Sequence, residues 1–221
     1  MPHKWLAFST FGLLTVIVIG ILYVQSRPLD LDAYLQKDEE TGLTLTQPTV
    51  TIVNPSLGSA DAPVTLVMFA DFTCYPCKQL ADSILAIMKT YPQDVRFVWK
   101  DMPQLDISSI ATQAAVAAHC ADRQGKFWEY ADELFARQAA LSTANDLLNI
   151  AQNLSLDTDR FSSCMETQDT LPIVERDYEE GTALGLLAAP TLFINGTSYT
   201  GALSTDQLLS YVEEALSTPS P

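Results

Sequence analysis

Two cysteines three positions apart, in Cys74-Tyr75-Pro76-Cys77, stand at the seam between a strand-like run and a helix-like run. Upstream, Val64-Thr65-Leu66-Val67-Met68-Phe69-Ala70 is β-branched and almost continuously apolar, the pattern of a central strand covered on both faces. Downstream, Lys78 to Tyr91 spaces Leu80, Ile84, Leu85, Ile87 and Met88 as a helix does. Val95-Arg96-Phe97-Val98-Trp99 reads as a second strand, so the order predicts a parallel βαβ unit with a right-handed crossover.

That placement carries chemistry. A strand fixes the turn at the edge of a sheet, and the following helix presents Cys74 at its N-terminus, where unpaired N–H groups and the dipole favour a thiolate. Only the thiolate attacks a disulfide. Cys77, one turn further in, is placed to be the resolving thiol, with Phe72 and Pro76 shielding and shaping the pair. Two other readings stay open at this stage. Zinc would need two further ligands, and the candidates are Cys120, Cys164 and two histidines, of which His3 precedes the long apolar stretch. A purely structural bridge would be unusual in so small a ring.

Ala189-Pro190-Thr191 is the second signal. Proline opening a strand means little alone. Combined with a Cys-x-x-Cys after an earlier strand, it predicts a cis Ala189–Pro190 bond that sets the Ala189 backbone beside the active sulfur. Its N–H and C=O could then pair with an extended substrate chain.

The N-terminus reads as an address. Leu6 to Val24 is 19 residues of largely apolar sequence, and no charged side chain lies between Trp5 and Ser26. A helix of that length rises roughly 28 Å, near the thickness of a bilayer's hydrocarbon core. A buried core helix would seldom run so long without a charge. A cleaved signal peptide usually has a shorter apolar region and a small-x-small site, which Tyr23-Val24-Gln25-Ser26-Arg27 lacks. An uncleaved signal-anchor is therefore favoured, with Lys4 on the cytoplasmic side and the remainder exported, where disulfides persist. From Pro28 onward, 27 acidic residues face ten basic ones, a balance of −17 that disfavours nucleic-acid binding.

Residues 25–48 read as a spacer. Residues 49–106 hold the βαβ unit, preceded by the turn-forming stretch Asn54 to Pro63. From 107 to 186 the composition turns to Ala, Gln, Leu and Glu, with helices expected at 108–121, 126–138, 143–153, 157–166 and 169–184. Ser142-Thr143 and Asp157 read as N-caps, and Gly125, Gly181 and Gly185 as punctuation. Over 187–221, Thr191-Leu192-Phe193-Ile194 and Thr197-Ser198-Tyr199-Thr200 flank Asn195-Gly196, a strong hairpin signal. An amphipathic helix from Ser204 to Leu216 follows.

GSADAPVTLVMFADFTCYPC, QGKFWEYADELF and LGLLAAPTLFING together make residues 55 to 216 resemble the DsbA-like branch of the thioredoxin superfamily, particularly its membrane-anchored members. The resemblance implies an α/β thioredoxin fold with an inserted helical domain, here preceded by a single N-terminal transmembrane helix (6–24) and a short cytoplasmic end (1–5). It implies a thiol–disulfide oxidoreductase without cofactor or metal, with Cys74 as nucleophile, Cys77 as resolving thiol and Pro190 as the cis-proline. Tyr75, Pro76, Phe72 and Ala189 would support the site and its substrate groove. Partners would be exported client proteins with thiols, and a quinone-linked membrane oxidase as re-oxidant. Two positions depart from the family pattern. No histidine lies between the cysteines, and Ala189 stands where several members carry Val or Thr.

Cys120 and Cys164 fall on separate expected helices. In an exported protein a mutual bridge is the economical reading, contributing roughly 3–4 kcal/mol by the chain-entropy estimate. His119, beside Cys120, reads as a surface or packing residue, because helix neighbours point about 100° apart. Asp71, Lys100 and Asp101 sit at strand ends. One of them could relay protons to Cys77, but solvated strand ends are the favoured reading.

Overall fold

A computed structural model describes residues 45–217. The apolar segment 6–24, residues 1–5 expected on the cytoplasmic side and the part of the expected spacer up to residue 44 lie outside the described residues. Among the described residues no helix is long and apolar enough to cross a membrane.

Five strands form one sheet: β1 (Ser56–Leu57), β2 (Val64–Ala70), β3 (Val95–Asp101), β4 (Thr191–Ile194) and β5 (Thr197–Thr200), in the order β1-β3-β2-β4-β5. Strand β2 is central, as its unbroken apolar run requires, and only Thr65 in it is not buried. It pairs in parallel with β3, from Val64 opposite Val95 to Ala70 opposite Asp101, and antiparallel with β4. Helix α1 (Tyr75–Thr90) makes the crossover and buries Leu80, Ala81, Ile84 and Ile87. The β4–β5 hairpin turns at Asn195 (φ 44°) and Gly196 (φ 89°), the two left-handed positions that such a turn needs. Asn195 also accepts from the Thr65 N–H at 2.8 Å and donates to the Pro63 carbonyl at 3.0 Å, locking the turn to β2. The short edge strand β1, antiparallel to β3, corrects the reading of Asn54–Pro63 as turn alone.

Five helices interrupt the sheet between β3 and β4: α2 (Ile110–Asp122), α3 (Phe127–Ala136), α4 (Ala144–Asn153), α5 (Thr158–Thr167) and α6 (Leu171–Ala183). The starts of α2, α4 and α5 are held by side chains. Thr143 and Asp146 make a reciprocal capping box on α4, and Asp157 accepts from the Arg160 N–H on α5. Helix α2 is a row of small residues, with Ala114, Ala115, Ala117, Ala118 and Ala121 all buried, so that α3, α5 and α6 approach closely. Helix α7 (Thr205–Ser217) closes the chain against α1.

The sheet has a large apolar layer on the α1 side. A smaller one holds Val67, Phe69, Val98 and Phe193, with Met102, Leu184 and Leu186 packed against it. Gly181 belongs to this second layer. A Cβ there would stand 2.6 Å from the Met102 sulfur and 3.3 Å from the Phe69 ring. It is a close-approach position inside α6, not punctuation, which corrects the sequence reading. Gly125 (φ 70°) and Gly185 (φ 72°) do occupy turns.

Candidate functional site

Cys74 is the N-cap of α1, with extended backbone (φ −87°, ψ 113°), and its sulfur accepts the Cys77 N–H at 3.1 Å. This is the bond an N-cap serine or threonine oxygen makes to the third helical residue, here made to sulfur. Pro76 lies within the first turn, where a missing N–H costs nothing. The turn entering the helix is pinned by Asp71, whose carboxylate accepts from the Thr73 N–H at 2.6 Å and the Thr73 hydroxyl at 2.9 Å. Burial pushes the Asp71 pKa up, and the charge of Asp101 adds to that against the two Thr73 bonds.

Cys74 and Cys77 are joined as a disulfide. Cys77 is fully buried, Cys74 is half-buried, and Tyr75 is 65% exposed, so one sulfur of the pair faces the approach. The Ala189–Pro190 bond is cis, and the Ala189 carbonyl oxygen lies 3.7 Å from the Cys74 sulfur. In the disulfide that sulfur has no proton to donate, so this is a contact. The Ala189 N–H takes no partner among the described residues. Phe72 is part of the floor: it stacks on Trp99 with ring centres 4.5 Å apart and is almost fully buried. Its carbonyl accepts from the Gln138 side chain at 2.6 Å, tying the helical insert to the loop that carries Cys74.

Behind this floor lies a buried polar network, which overturns the reading of Lys100 and Asp101 as solvated strand ends and, of the two readings of His119, removes the surface one and keeps the packing one. All three side chains are at most 1% exposed. Lys100 donates to Asp177 at 3.0 Å and to Glu180 at 2.6 Å, both on α6. Asn54 also donates to Asp177, and Thr49 donates to Glu180. Asp101 accepts from the Trp99 indole at 2.8 Å and pairs with His119 Nε2 at 2.6 Å. His119 Nδ1 has no partner among the described residues. Burial opposes a charge on His119, yet the Asp101 carboxylate outweighs it and the His119 pKa is raised. Burial and the neighbouring Asp101 push the Asp177 pKa up, against Lys100. Burial also works against ionised Glu180, but Lys100 and Thr49 hold its pKa below the ordinary value. Sequence reasoning missed Asp177 and Glu180. Their spacing of three, on the helix face that also carries Val174 and Gly181, was the available signal.

The second pair also forms a bond. Cys120 of α2 and Cys164 of α5 are joined as a disulfide, remote in sequence from the first. It lies beside an open cleft bordered by Arg123, Gln124 and Arg160.

Residues 51–214 match the thioredoxin family. The chain belongs to that family. The curated relatives include the Na(+)/H(+) antiporter NhaA 3 of Salinispora tropica, 35% identical over 158 residues, which are 72% of this chain and 24% of that protein. The thioredoxin-family chain thus spans about a quarter of that relative's length. Among solved structures, BdbD of Bacillus subtilis in its oxidised form superposes with a TM-score of 0.68 at 22% identity, covering 78% of this chain and 97% of that one. The thiol-disulfide exchange protein alpha-DsbA2 of Wolbachia pipientis gives 0.64 at 22% identity, covering 74% and 87%. These likenesses establish a thioredoxin fold with a helical insertion for the family member described here.

Proposed function

We propose that this chain is a thiol–disulfide oxidoreductase that introduces disulfides into exported client proteins through Cys74 and Cys77. The observation that carries the reading is the Cys74 sulfur at a helix N-cap, half-exposed, accepting a backbone N–H and flanked by the Ala189 carbonyl. A client thiolate attacks the Cys74 sulfur, the Cys74–Cys77 bond breaks, and Cys77 leaves as a thiolate. A second client thiolate then attacks the client sulfur of the mixed disulfide. The client gains a disulfide, Cys74 leaves as a thiolate, and the pair holds the two electrons. The helix N-terminus favours that release by stabilising the Cys74 thiolate. Ala189, whose N–H has no partner among the described residues, supplies with its carbonyl strand-like pairing for the client backbone, and Tyr75 and Pro76 line the approach.

The remaining assignments belong to the same proposal. Residues 6–24 anchor the chain in the cytoplasmic membrane, with 1–5 inside and 25–48 as a spacer. The thioredoxin core (49–106 and 187–221) and its helical insert (107–186) lie outside, on the periplasmic or extracellular side. A quinone-linked membrane oxidase returns the pair to the disulfide, and Cys120–Cys164 is structural.

Titration of the Cys74–Cys77 couple against glutathione, with Cys74→Ser as control, tests the direction of transfer. A reduction potential of about −120 to −180 mV supports donation of disulfides, and about −270 mV supports a reductase. Absence of exchange, with peptide binding retained in Cys74→Ser, leaves a binding module in place of an enzyme.

A further inference from the structure

A cavity of about 220 Å³ opens between α1 and α3, over β3. Ala81 and Leu85 of α1 and Trp128 and Phe135 of α3 form its walls, and Phe97 and Trp99 close its floor. That volume suits one large apolar side chain and is smaller than the sites that hold whole drug-sized ligands. The rim is charged and unbalanced. Lys78 is the lining cation, and its ammonium is already held by Asp82 at 2.5 Å. Asp132 makes no ion pair among the described residues, while its neighbours Glu129 and Glu133 are taken by Lys126 and Arg137. Burial and the charges of Asp82 and Glu129 raise the Asp132 pKa, against the smaller lowering effect of Lys78.

The position along the helix connects this cavity to the redox site. Residues 78, 81, 82 and 85 share one face of α1, and position 78 lies one helical turn beyond Cys74. A client cysteine bonded to Cys74 would carry its own neighbours across that turn, since an extended chain covers about 3.3 Å per residue.

We propose that this cavity is a client subsite taking a large apolar side chain next to a lysine or arginine, close in sequence to the client cysteine. Asp132 is its specificity-determining charge. The proposal rests on the oxidoreductase reading and adds to it a class of client sequence. Charge argues against the other occupants. A second copy would bring a region with a balance of −17 against an acidic rim, and the apolar segment 6–24 carries no basic residue.

The test separates binding from redox chemistry. Cysteine-free decapeptides centred on Leu-Lys, Leu-Glu and Ser-Lys are titrated onto the full chain in detergent carrying Cys74→Ser, with binding followed calorimetrically. Leu-Lys is expected to bind about fivefold more tightly than either control, the scale of one part-exposed ion pair or one partly buried aliphatic side chain. The preference over Leu-Glu should shrink as salt is raised. Asp132→Asn should bring Leu-Lys and Leu-Glu to near parity while leaving Leu-Lys ahead of Ser-Lys. Ala81→Leu, which fills the cavity, should remove the advantage over Ser-Lys. Equal affinities for all three peptides, or an Asp132→Asn chain that still discriminates, would overturn the subsite. So would concentration-dependent dimerisation abolished by Asp132→Asn, which would give the face to a second copy. Because no peptide carries a thiol, failure of glutathione exchange overturns the redox reading while leaving this discrimination to be read by itself.

Discussion

The two disulfides are the same bond set at opposite ends of helices. Cys74 caps the N-terminus of α1, where its sulfur accepts a backbone N–H. Cys120 and Cys164 lie in the last turns of α2 and α5, where carbonyl groups point outward and the dipole is negative. A thiolate is favoured at the first position and disfavoured at the other two. Accessibility runs the same way, since Cys120 is 1% exposed and Cys164 6%, whereas Cys74 is half-buried. Loop length separates them again. One bridge spans three residues and constrains little chain, while the other spans 44 and ties α2 to α5. On the proposed reading, reactivity and stability are divided between two chemically identical groups by where each falls on its helix.

The contrast should show most strongly in stability. Replacing Cys120 and Cys164 together by alanine should cost roughly 3–4 kcal/mol in urea unfolding, by the loop-entropy relation, and leave exchange at Cys74 intact. Cys74→Ser should do the reverse. It retains an oxygen cap for α1 and shifts unfolding little, while exchange with a dithiol peptide falls to background. If the alanine pair abolished exchange while the chain remained folded, the division of labour would be wrong.

A smaller effect concerns the network that joins β3 to the insert. Asp101 raises the folded-state pKa of His119 above its unfolded value near 6.5. The stability gained from this pair is therefore fully present below about pH 6.5. It is lost as pH rises through the raised folded pKa. The gap in unfolding free energy between the native chain and His119→Gln should be wider at acid pH and narrow as pH rises past that value. A gap that widened with pH would mean that His119 is held neutral.

Smallest is the cap at Thr143. Thr143→Ala should cost about 1 kcal/mol through loss of the capping box on α4, without changing exchange at Cys74.

Much of this molecule is legible in its sequence where the signal is local. Asn195-Gly196 between two β-branched runs marks both strands of the hairpin to the residue, and Thr143 and Asp157 announce the helices they cap. The Cys74–Cys77 pair and Ala189–Pro190 were readable as a combination, and the structure sets the Ala189 carbonyl 3.7 Å from the Cys74 sulfur. Signals fail where the partner is distant or the element very short. A two-residue edge strand such as Ser56–Leu57 has no periodicity to detect. Lys100 and Asp101 look like ordinary strand-end charges until α6, more than 70 residues later, folds Asp177 and Glu180 onto them. Gly181 is likewise explained only by Met102 and Phe69 from other elements.

The α1 N-terminus is expected to make Cys74 a stabilised thiolate. Thiolate absorbance of the Cys74–Cys77 pair, reduced while Cys120–Cys164 remains bonded, measures this directly across a pH titration. The first titration should fall within about 3.5 to 7.5, the range of thiols activated by helix N-termini and Cys-x-x-Cys motifs. A first titration at or above about 8.5, the value of a free cysteine, would contradict it.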